Sequence, residues 1–515
     1  MHLLLFVFAA IGIVITRALL SFYRCVTCPL KDIPGPWQAR FSKLWFFESV
    51  RKGNFEEVNI DLHRKYGSVV RVAPDHYSID DPDAIKQIYG IGTKFSKSEW
   101  YDGWKHPSPE RWTLFPDRNI ARHAETRRRF QNLYSMTSLV SYEPFVDECA
   151  DIFSQRLIEI ARSGEIINMG HWFQCYAFDV VACITYSRRF GFLDSGEDIN
   201  GTISALDGTT SYSTLVGIYA SLHPTLFHLT SKLPNSGAQG RLCLMDFVQK
   251  QMDARKTERK SRDVEKGRAS SGQQDARSAL PEDFLEKMMN ASEKEPEKVT
   301  QYHIFMMGLS NMIAGSDTTA VSLSAILYHL LHNPETMKKL REEIKTAERE
   351  GRCGNPKVKF RESQEMPYLQ AVIKEALRMH PATGLPLWRV VPTAGVEIAG
   401  HLFPGGTNIG VNTWVAHNNP TIFPRPEEFR PERWLESNEG QVKKMEAYWM
   451  PFGLGSRTCL GKHISLLEIG KVIPRLVREF DFELVREERW KTRNHWFVKP
   501  TNFEVGVKVV KGDLE

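Results

Sequence analysis

No block of one charge sign, no internal repeat and no glycine-rich dinucleotide fingerprint after a strand occurs in this 515-residue chain. The first absence counts against a nucleic-acid partner. Lys and Arg number 67 against 62 Asp and Glu, and a formal net charge of +5 falls far short of the basic face such a partner needs. The missing fingerprint means that any nicotinamide chemistry must be supplied by a separate protein. Cysteine is sparse as well. Cys25, Cys28, Cys149, Cys175, Cys183, Cys243, Cys353 and Cys459 show no framework spacing, which excludes a disulfide scaffold and fits a reducing compartment. Cys25 and Cys28 form a lone CxxC, too weak a pattern to carry a metal site. What is present is 42% hydrophobic and 25% charged, the balance of a globular chain that can bury a large core.

The N-terminus departs from that average. Residues 3–23 are almost wholly apolar apart from Thr16 and Arg17, and as a helix they reach about 31 Å, one hydrocarbon thickness. Arg17 lies near the end of the span, where it can snorkel. A cleaved signal peptide is the competing reading, but no small-residue cleavage site follows, only Arg24, Cys25 and Val26. Arg17, Arg24 and Lys31 lie at or after the C-terminal end and no Lys or Arg precedes it, which leaves the bulk of the chain in the cytosol. The sequence thus predicts a membrane anchor and flank over residues 1–31 and a body over residues 32–515. Ile33-Pro34-Gly35-Pro36-Trp37 is the stiff hinge between them.

Within the body, residues 68–73 and 76–80 read as a hairpin joined at Pro74-Asp75. Patterns from residue 120 to about 340 are mainly helical, with 172–190 apolar on most sides and so a buried helix. Residues 254–281 are rich in Arg, Lys, Ser, Gln and Asp and read as a solvated excursion. Thr300 is placed as the N-cap of a long helix ending near Asn333-Pro334. Residues 396–411, with Pro404-Gly405-Gly406 as the turn, read as a second small hairpin. The expectation is one large, mainly α domain with small β-sheets.

The sharpest local signal is Phe452-Gly453-Leu454-Gly455-Ser456-Arg457-Thr458-Cys459-Leu460-Gly461. A thiolate that binds a metal needs backbone donors and close access for a large planar group. Glycines at 453, 455 and 461 allow both. Cys459 also precedes an amphipathic helix, residues 462–480, whose N-terminal dipole favours an anion. Arg457 offers a fixed cation to a carboxylate. A glycine-rich turn around an inert cysteine is the plain alternative.

This segment resembles the FxxGxRxCxG signature of the cytochrome P450 family at all five fixed positions. Chance would produce such a match in about one chain in ten thousand of this length and composition. The resemblance implies haem b, with Cys459 as the axial thiolate of its iron, Phe452 packed near the ring and Arg457 on a propionate; thiolate ligation favours O–O cleavage. It extends to other segments in the family's chain order. Glu375-Ala376-Leu377-Arg378 places two charges at i,i+3, and Pro431-Glu432-Arg433-Trp434 follows. Together these resemble the family's Glu-Arg-Arg network, with Trp434 where Phe is commoner. Ala314-Gly315-Ser316-Asp317-Thr318-Thr319 puts polar residues inside a buried helix, where they are locally unfavourable. A capped break or a water-filled kink would account for them without chemistry. The resemblance implies that Ala314 and Thr318 face the haem, Thr318 holding dioxygen and an ordered water while Asp317 relays protons. His123 and Arg127, four apart on a helix, and Arg389 match the family's propionate-binding cations.

HPATGLPLWRVVP and AHNNPTIFPRPEEFRPERW are most similar to fungal microsomal members of the pisatin demethylase type. The fold implied is the cytochrome P450 fold preceded by one N-terminal transmembrane helix, in the endoplasmic reticulum membrane with the catalytic domain in the cytosol. The activity implied is a monooxygenase fed by NADPH–cytochrome P450 reductase and acting on a hydrophobic small molecule, in secondary metabolite biosynthesis. The pocket would be lined by residues 98–120, 305–318, 382–388 and Phe497. A haem-thiolate isomerase or dehydratase without external electrons and a non-catalytic haem-binding protein are the rivals. The acid and hydroxyl at 317 and 318 speak against the first.

Overall fold

The computed structural model describes residues 8, 12, 15, 16, 19, 20, 22, 23, 25–268, 282–486, 488 and 490–510. Six helices position the site: α1 (Ile120–Phe130), α2 (Met169–Tyr186), α3 (Thr202–Ile218), α4 (Gln301–His332), α5 (Pro367–Met379) and α6 (Lys462–Glu479). α4 begins where expected. The Thr300 hydroxyl accepts from the His303 amide, and His303 Nδ1 accepts from the Thr300 amide at 3.2 Å, so two orphan donors of the first turn are satisfied. α2 is buried on nearly every side and runs against α4, which also packs on α5 and α6. Gly315 lets α2 and α4 approach: a Cβ there would lie 2.7 Å from Val181.

Twelve short strands form four sheets among the described residues. The largest has the order β1 (Val69–Ala73), β2 (His76–Ile79), β8 (Asn408–Gly410), β5 (Arg389–Val390) and β3 (Ser96–Lys97). β2 and β8 are parallel, and Lys97 pairs with Arg389 across β3 and β5. β4 (Ile167–Asn168), β12 (Glu504–Val509) and β9 (Phe480–Leu484) make a second sheet, and β10 (Thr492–His495) and β11 (Phe497–Pro500) a hairpin. The main core surrounds α2, α4 and α6, and a separate aromatic cluster gathers Trp100, Trp104, Trp388 and Trp496.

The β1–β2 hairpin, the mainly helical middle and the buried α2 match expectation, although α2 ends at Tyr186, where Ser187 turns left-handed at φ 52°. Three readings need correction. β6 (Val396–Ile398) pairs with β7 (His401–Phe403) around Ala399-Gly400, so Pro404-Gly405-Gly406 is not the hairpin turn but leads into β8 of the main sheet. Residues 254–268 continue the helix Gly237–Arg268 rather than leaving it, with Thr257, Glu258, Lys260 and Ser261 exposed as a solvated segment would be. Arg255 explains why, for it is buried and donates to the Tyr186 carbonyl at 2.6 Å and to Asp283 at 2.7 Å. Residues 269–281 of that segment lie outside the described residues. The hinge is bolted to the body: Arg71 N donates to the Pro34 carbonyl at 2.8 Å, and Leu30 and Ile33 are buried. A Cβ on Gly35 would lie 2.2 Å from the Arg71 carbonyl oxygen, which requires glycine.

The expected transmembrane span, residues 3–23, falls mostly outside the described residues. Among the described residues no helix is long and apolar enough to cross a membrane, so the fold seen here is mainly α with small sheets and supplies no support for that span.

Candidate active site

The loop before α6 is shaped by backbone constraints. Gly455 has φ +61°, and a Cβ on it would lie 1.8 Å from the Tyr89 carbonyl oxygen; no other residue fits. Cys459 N donates to the Phe452 carbonyl at 2.8 Å, closing the loop, and the Phe452 ring packs on Trp449 with Lys462 over its face. Cys459 is solvent-accessible, yet burial still pushes its thiol pKa up, so its sulfur lines an interior cleft rather than the outer surface. The amides of Gly461 and Lys462 and the charge of Arg127 pull the other way without prevailing. The loop amides and the helix start therefore favour the anion, as the sequence suggested, and a bonded metal cation would complete the deprotonation of this sulfur.

Four cations converge beside the loop. Arg127 of α1 donates to the Thr458 carbonyl at 2.7 Å. Arg457 donates to the Asp117 carbonyl at 2.8 Å, while its Nη2 is buried with no partner. Arg389 lies over the Tyr89 ring and donates to the Trp388 carbonyl at 2.9 Å. Lys97, which the sequence reading missed, is buried with Nζ on the Phe115 carbonyl. Burial, with Arg389 and Arg457 nearby, pushes Lys97 well below the usual lysine range, and burial with the same neighbour lowers Arg457 to about 10. Burial, Arg457, Lys97 and Arg127 depress His123 to about 3. Asp117 stands beside them, but its carboxylate is already bidentate with Arg122. Such a cluster, with an orphaned guanidinium nitrogen, has donors for further anionic charge.

Glu375 and Arg378 on α5 anchor the segment before the loop. Glu375 accepts from Arg378 (2.8 and 3.0 Å), Arg433 (2.7 Å), the Arg430 amide (3.1 Å) and the Trp434 indole (2.9 Å), and Glu375, Arg378, Arg433 and Trp434 are buried. The departure from the commoner Phe therefore has a role, since the tryptophan supplies a donor that Phe lacks. Arg378 also holds the carbonyls of His417, Pro426 and Glu428, and Arg433 those of Pro424, Arg425 and Glu428.

On α4, Ala314 is exposed although most of the helix is buried, and Thr318, half-buried, donates to the Ala314 carbonyl at 2.8 Å. These two share one face, as their spacing requires. Thr319 hydrogen-bonds Ser465 of α6 at 3.2 Å, which sets this stretch beside the helix that follows Cys459. Asp317 points elsewhere. It is fully buried, accepting from Gln174 of α2 (2.5 Å) and Lys499 of β11 (2.8 Å).

Residues 34–506 match the family model described as Cytochrome P450. The chain belongs to the cytochrome P450 family. This P450 is 38% identical over 496 residues to a pisatin demethylase of Fusarium vanettenii, covering 95% of this chain and 91% of that one. It is 35% identical over 466 residues to a cytochrome P450 monooxygenase of Aspergillus terreus (88% and 90% covered), and 34% identical over 505 residues to one of Emericella nidulans (95% and 96% covered). Membership makes it an oxygenase whose cofactor is a haem-thiolate iron.

The residues present fit that group. An accessible sulfur in an interior cleft, an orphaned guanidinium nitrogen on Arg457 and a lysine depressed by burial and two neighbouring arginines are what a P450 needs around iron and two propionates. No sequence signal singles out Lys97. Only the pairing of β3 with β5 puts it opposite Arg389.

Proposed function

We propose that this P450 is a microsomal monooxygenase that takes NADPH-derived electrons through NADPH–cytochrome P450 reductase and oxidises a hydrophobic small molecule of secondary metabolism. The observation that carries this reading is Thr318, half-exposed on the Ala314 face of α4 and next in the chain to Asp317, whose carboxylate turns to Gln174 and Lys499. An isomerase or dehydratase has no dioxygen to protonate and no use for that pair. The named relatives, a demethylase and several monooxygenases, support the same class.

Bound haem would supply dioxygen binding and electron storage. Around it Cys459 would be the axial ligand, and Arg127, Arg389, Arg457 and Lys97 would neutralise the propionates, with His123 as a neutral donor. Phe452 would pack on the ring beside the sulfur. Thr318 would present its hydroxyl on the Ala314 face, and Asp317 would renew the proton that this hydroxyl passes on.

The anchor at residues 3–23, with the domain in the cytosol at the endoplasmic reticulum membrane, belongs to the same proposal. Large apolar side chains support it: Trp37 at the end of the hinge, Leu44 just after it, and Leu222, Leu226, Leu229 and Leu233 around the helix His223–Thr230 are all exposed. The two groups adjoin through Phe47 packed on Tyr219.

Co-expression with the reductase, followed by NADPH consumption and mass spectrometry of metabolites that gain or lose oxygen, tests the reading. Hydroxylation, demethylation, ring closure and coupling give distinct mass changes. Turnover without NADPH would favour the isomerase, and haem binding with no turnover a carrier. Cys459→Ser should abolish the strongly red-shifted Soret band of the reduced carbon monoxide complex; a retained band would remove the ligand assignment.

A further inference from the structure

A cleft of about 900 Å³ opens at the far end of α4, about 22 Å along the helix from Ala314 at 1.5 Å per residue. That volume suits a drug-sized molecule. Its walls are the helix Phe55–Tyr66, the ends of α4 and α5, and residues 426–430. Much of the lining is aromatic, and the rings hold one another. Trp490 stacks on Tyr328 at 4.1 Å and 9°, and His380 lies 4.9 Å from Trp490 and 4.8 Å from Trp414. His329 stacks on Phe429 at 4.9 Å and 10°. Trp414 and His380 spend ring N–H groups on the carbonyls of Pro381 (3.0 Å) and Val498 (2.8 Å). These two rings therefore offer π-surface rather than donors.

The charge around the rings has one sign in excess. Glu57, Asp61, Glu427 and Glu428 line the cleft against Arg64 and Arg430. Both arginines are already paired, Arg64 with Asp61 at 3.3 Å and Arg430 with Glu436 at 3.5 Å. Arg425 answers Glu428 at 3.0 Å, while Glu427 is exposed at the rim. α4 and α5 also end here, with His332 and Met379 as their last residues, so the negative ends of two helix dipoles lie at the same wall.

We propose that this cleft is a second small-molecule site, built for a flat organic cation such as a protonated or quaternary aromatic amine. The stacked rings would hold its plane, and the ring faces, the helix ends and Glu427 would favour its charge. An anion meets paired arginines, spent ring donors and surplus carboxylates, so the same cleft refuses it. The site does not depend on the monooxygenase reading, and a chain without turnover would still bind such a cation there.

The test uses holoenzyme with phenylimidazole ligated to the iron, so that the active site is filled. The probe is N-methylacridinium, a permanent flat cation, titrated by its fluorescence at low salt. Acridone is the neutral control and anthracene-9-carboxylate the anionic one. We expect the cation to bind in the tens of micromolar or tighter, acridone about tenfold more weakly, and the carboxylate not at all. Glu427→Lys should weaken the cation about fivefold or more, and Glu427→Gln by less. Ile60→Trp, which puts a large ring on the cleft wall, should weaken all binding there. Each variant is first checked for an unchanged reduced carbon monoxide spectrum. No binding of the acridinium, equal binding of the three probes, or affinity untouched by Glu427→Lys and Ile60→Trp would each overturn the site. Binding that phenylimidazole abolishes would place the dye at the haem and overturn it as well.

Discussion

Arg127 Nη1 donates to the carbonyl oxygen of Thr458 at 2.7 Å, which ties α1 to the residue immediately before Cys459. One side chain thus serves both the loop that carries the sulfur and the cation cluster beside it. His123, one turn earlier on α1, is buried among the same cations and is held neutral by them.

Arg127→Ala should therefore cost more haem than His123→Ala. The first variant loses a permanent charge and frees the Thr458 carbonyl; the second loses a neutral donor. Haem per protein at neutral pH should fall at least twofold in Arg127→Ala and less in His123→Ala. Equal, negligible losses would show that α1 does not face the propionates.

Trp434 and Glu375 give a graded pair. Trp434→Phe removes one of the donors on a fully buried carboxylate and should cost about 2 kcal/mol. Glu375→Gln leaves Arg378 and Arg433 buried without their counter-charge and should cost ~3–5 kcal/mol. Urea midpoints of the two holoproteins measure this, and a Trp434→Phe variant as unstable as Glu375→Gln would show that the indole does more than donate one bond.

How much of this was legible beforehand differs by residue. The cysteine loop and the Thr300 cap were readable because each is local: a glycine forced to positive φ or a hydroxyl three residues from an amide needs nothing from elsewhere in the chain. Glu375, Arg378 and Arg433 were readable as a spaced pattern, but the part played by the Trp434 indole was not. Lys97 and Lys499 were invisible, since a lone lysine on a short strand looks solvated until a sheet or hairpin places it beside buried charges. Residues 254–268 misled for a related reason. Their composition is that of a solvated segment, and only Asp283 and the Tyr186 carbonyl show why Arg255 is buried in a helix.

Acid should weaken the fold through its buried histidines. His417 has no exposed surface, donates from Nδ1 to the Arg378 carbonyl and accepts the Met450 amide at Nε2, a neutral tautomer fixed by its partners. Burial and Arg378 depress it to about 3. The unfolded chain, with a histidine pKa near 6.5, binds this proton first, so stability falls as pH drops from about 6.5 toward 3. Between pH 7 and 5 this group alone should cost about 2 kcal/mol. His417→Gln, though less stable at pH 7, should show a shallower fall on denaturant titration at the two pH values. Parallel slopes would refute the assignment.

Deleting residues 1–24 should release most of the chain from membranes and leave the haem spectrum intact, because the packed body is anchored from Cys28, Leu30 and Ile33 onward. Residual membrane affinity should drop further in Leu226→Glu combined with Leu229→Glu, by flotation with anionic vesicles. A truncated chain that cannot hold haem would assign residues 3–23 to the core.

The crowding of Lys97, Arg127, Arg389 and Arg457 has a consequence for supply inside a cell. A newly made chain reaches its folded shape with these bases crowded in a water-poor space, and in the proposed placement the propionates of the cofactor would be the anions that relieve them. Haem held there would stabilise the folded form and not the unfolded chain, so its availability would shift the balance between folding and capture by proteases. Enzyme abundance would then follow the rate at which iron and porphyrin are delivered, even when transcript is plentiful. A host engineered to overproduce the chain would gain yield from porphyrin precursors before it gained any from a stronger promoter.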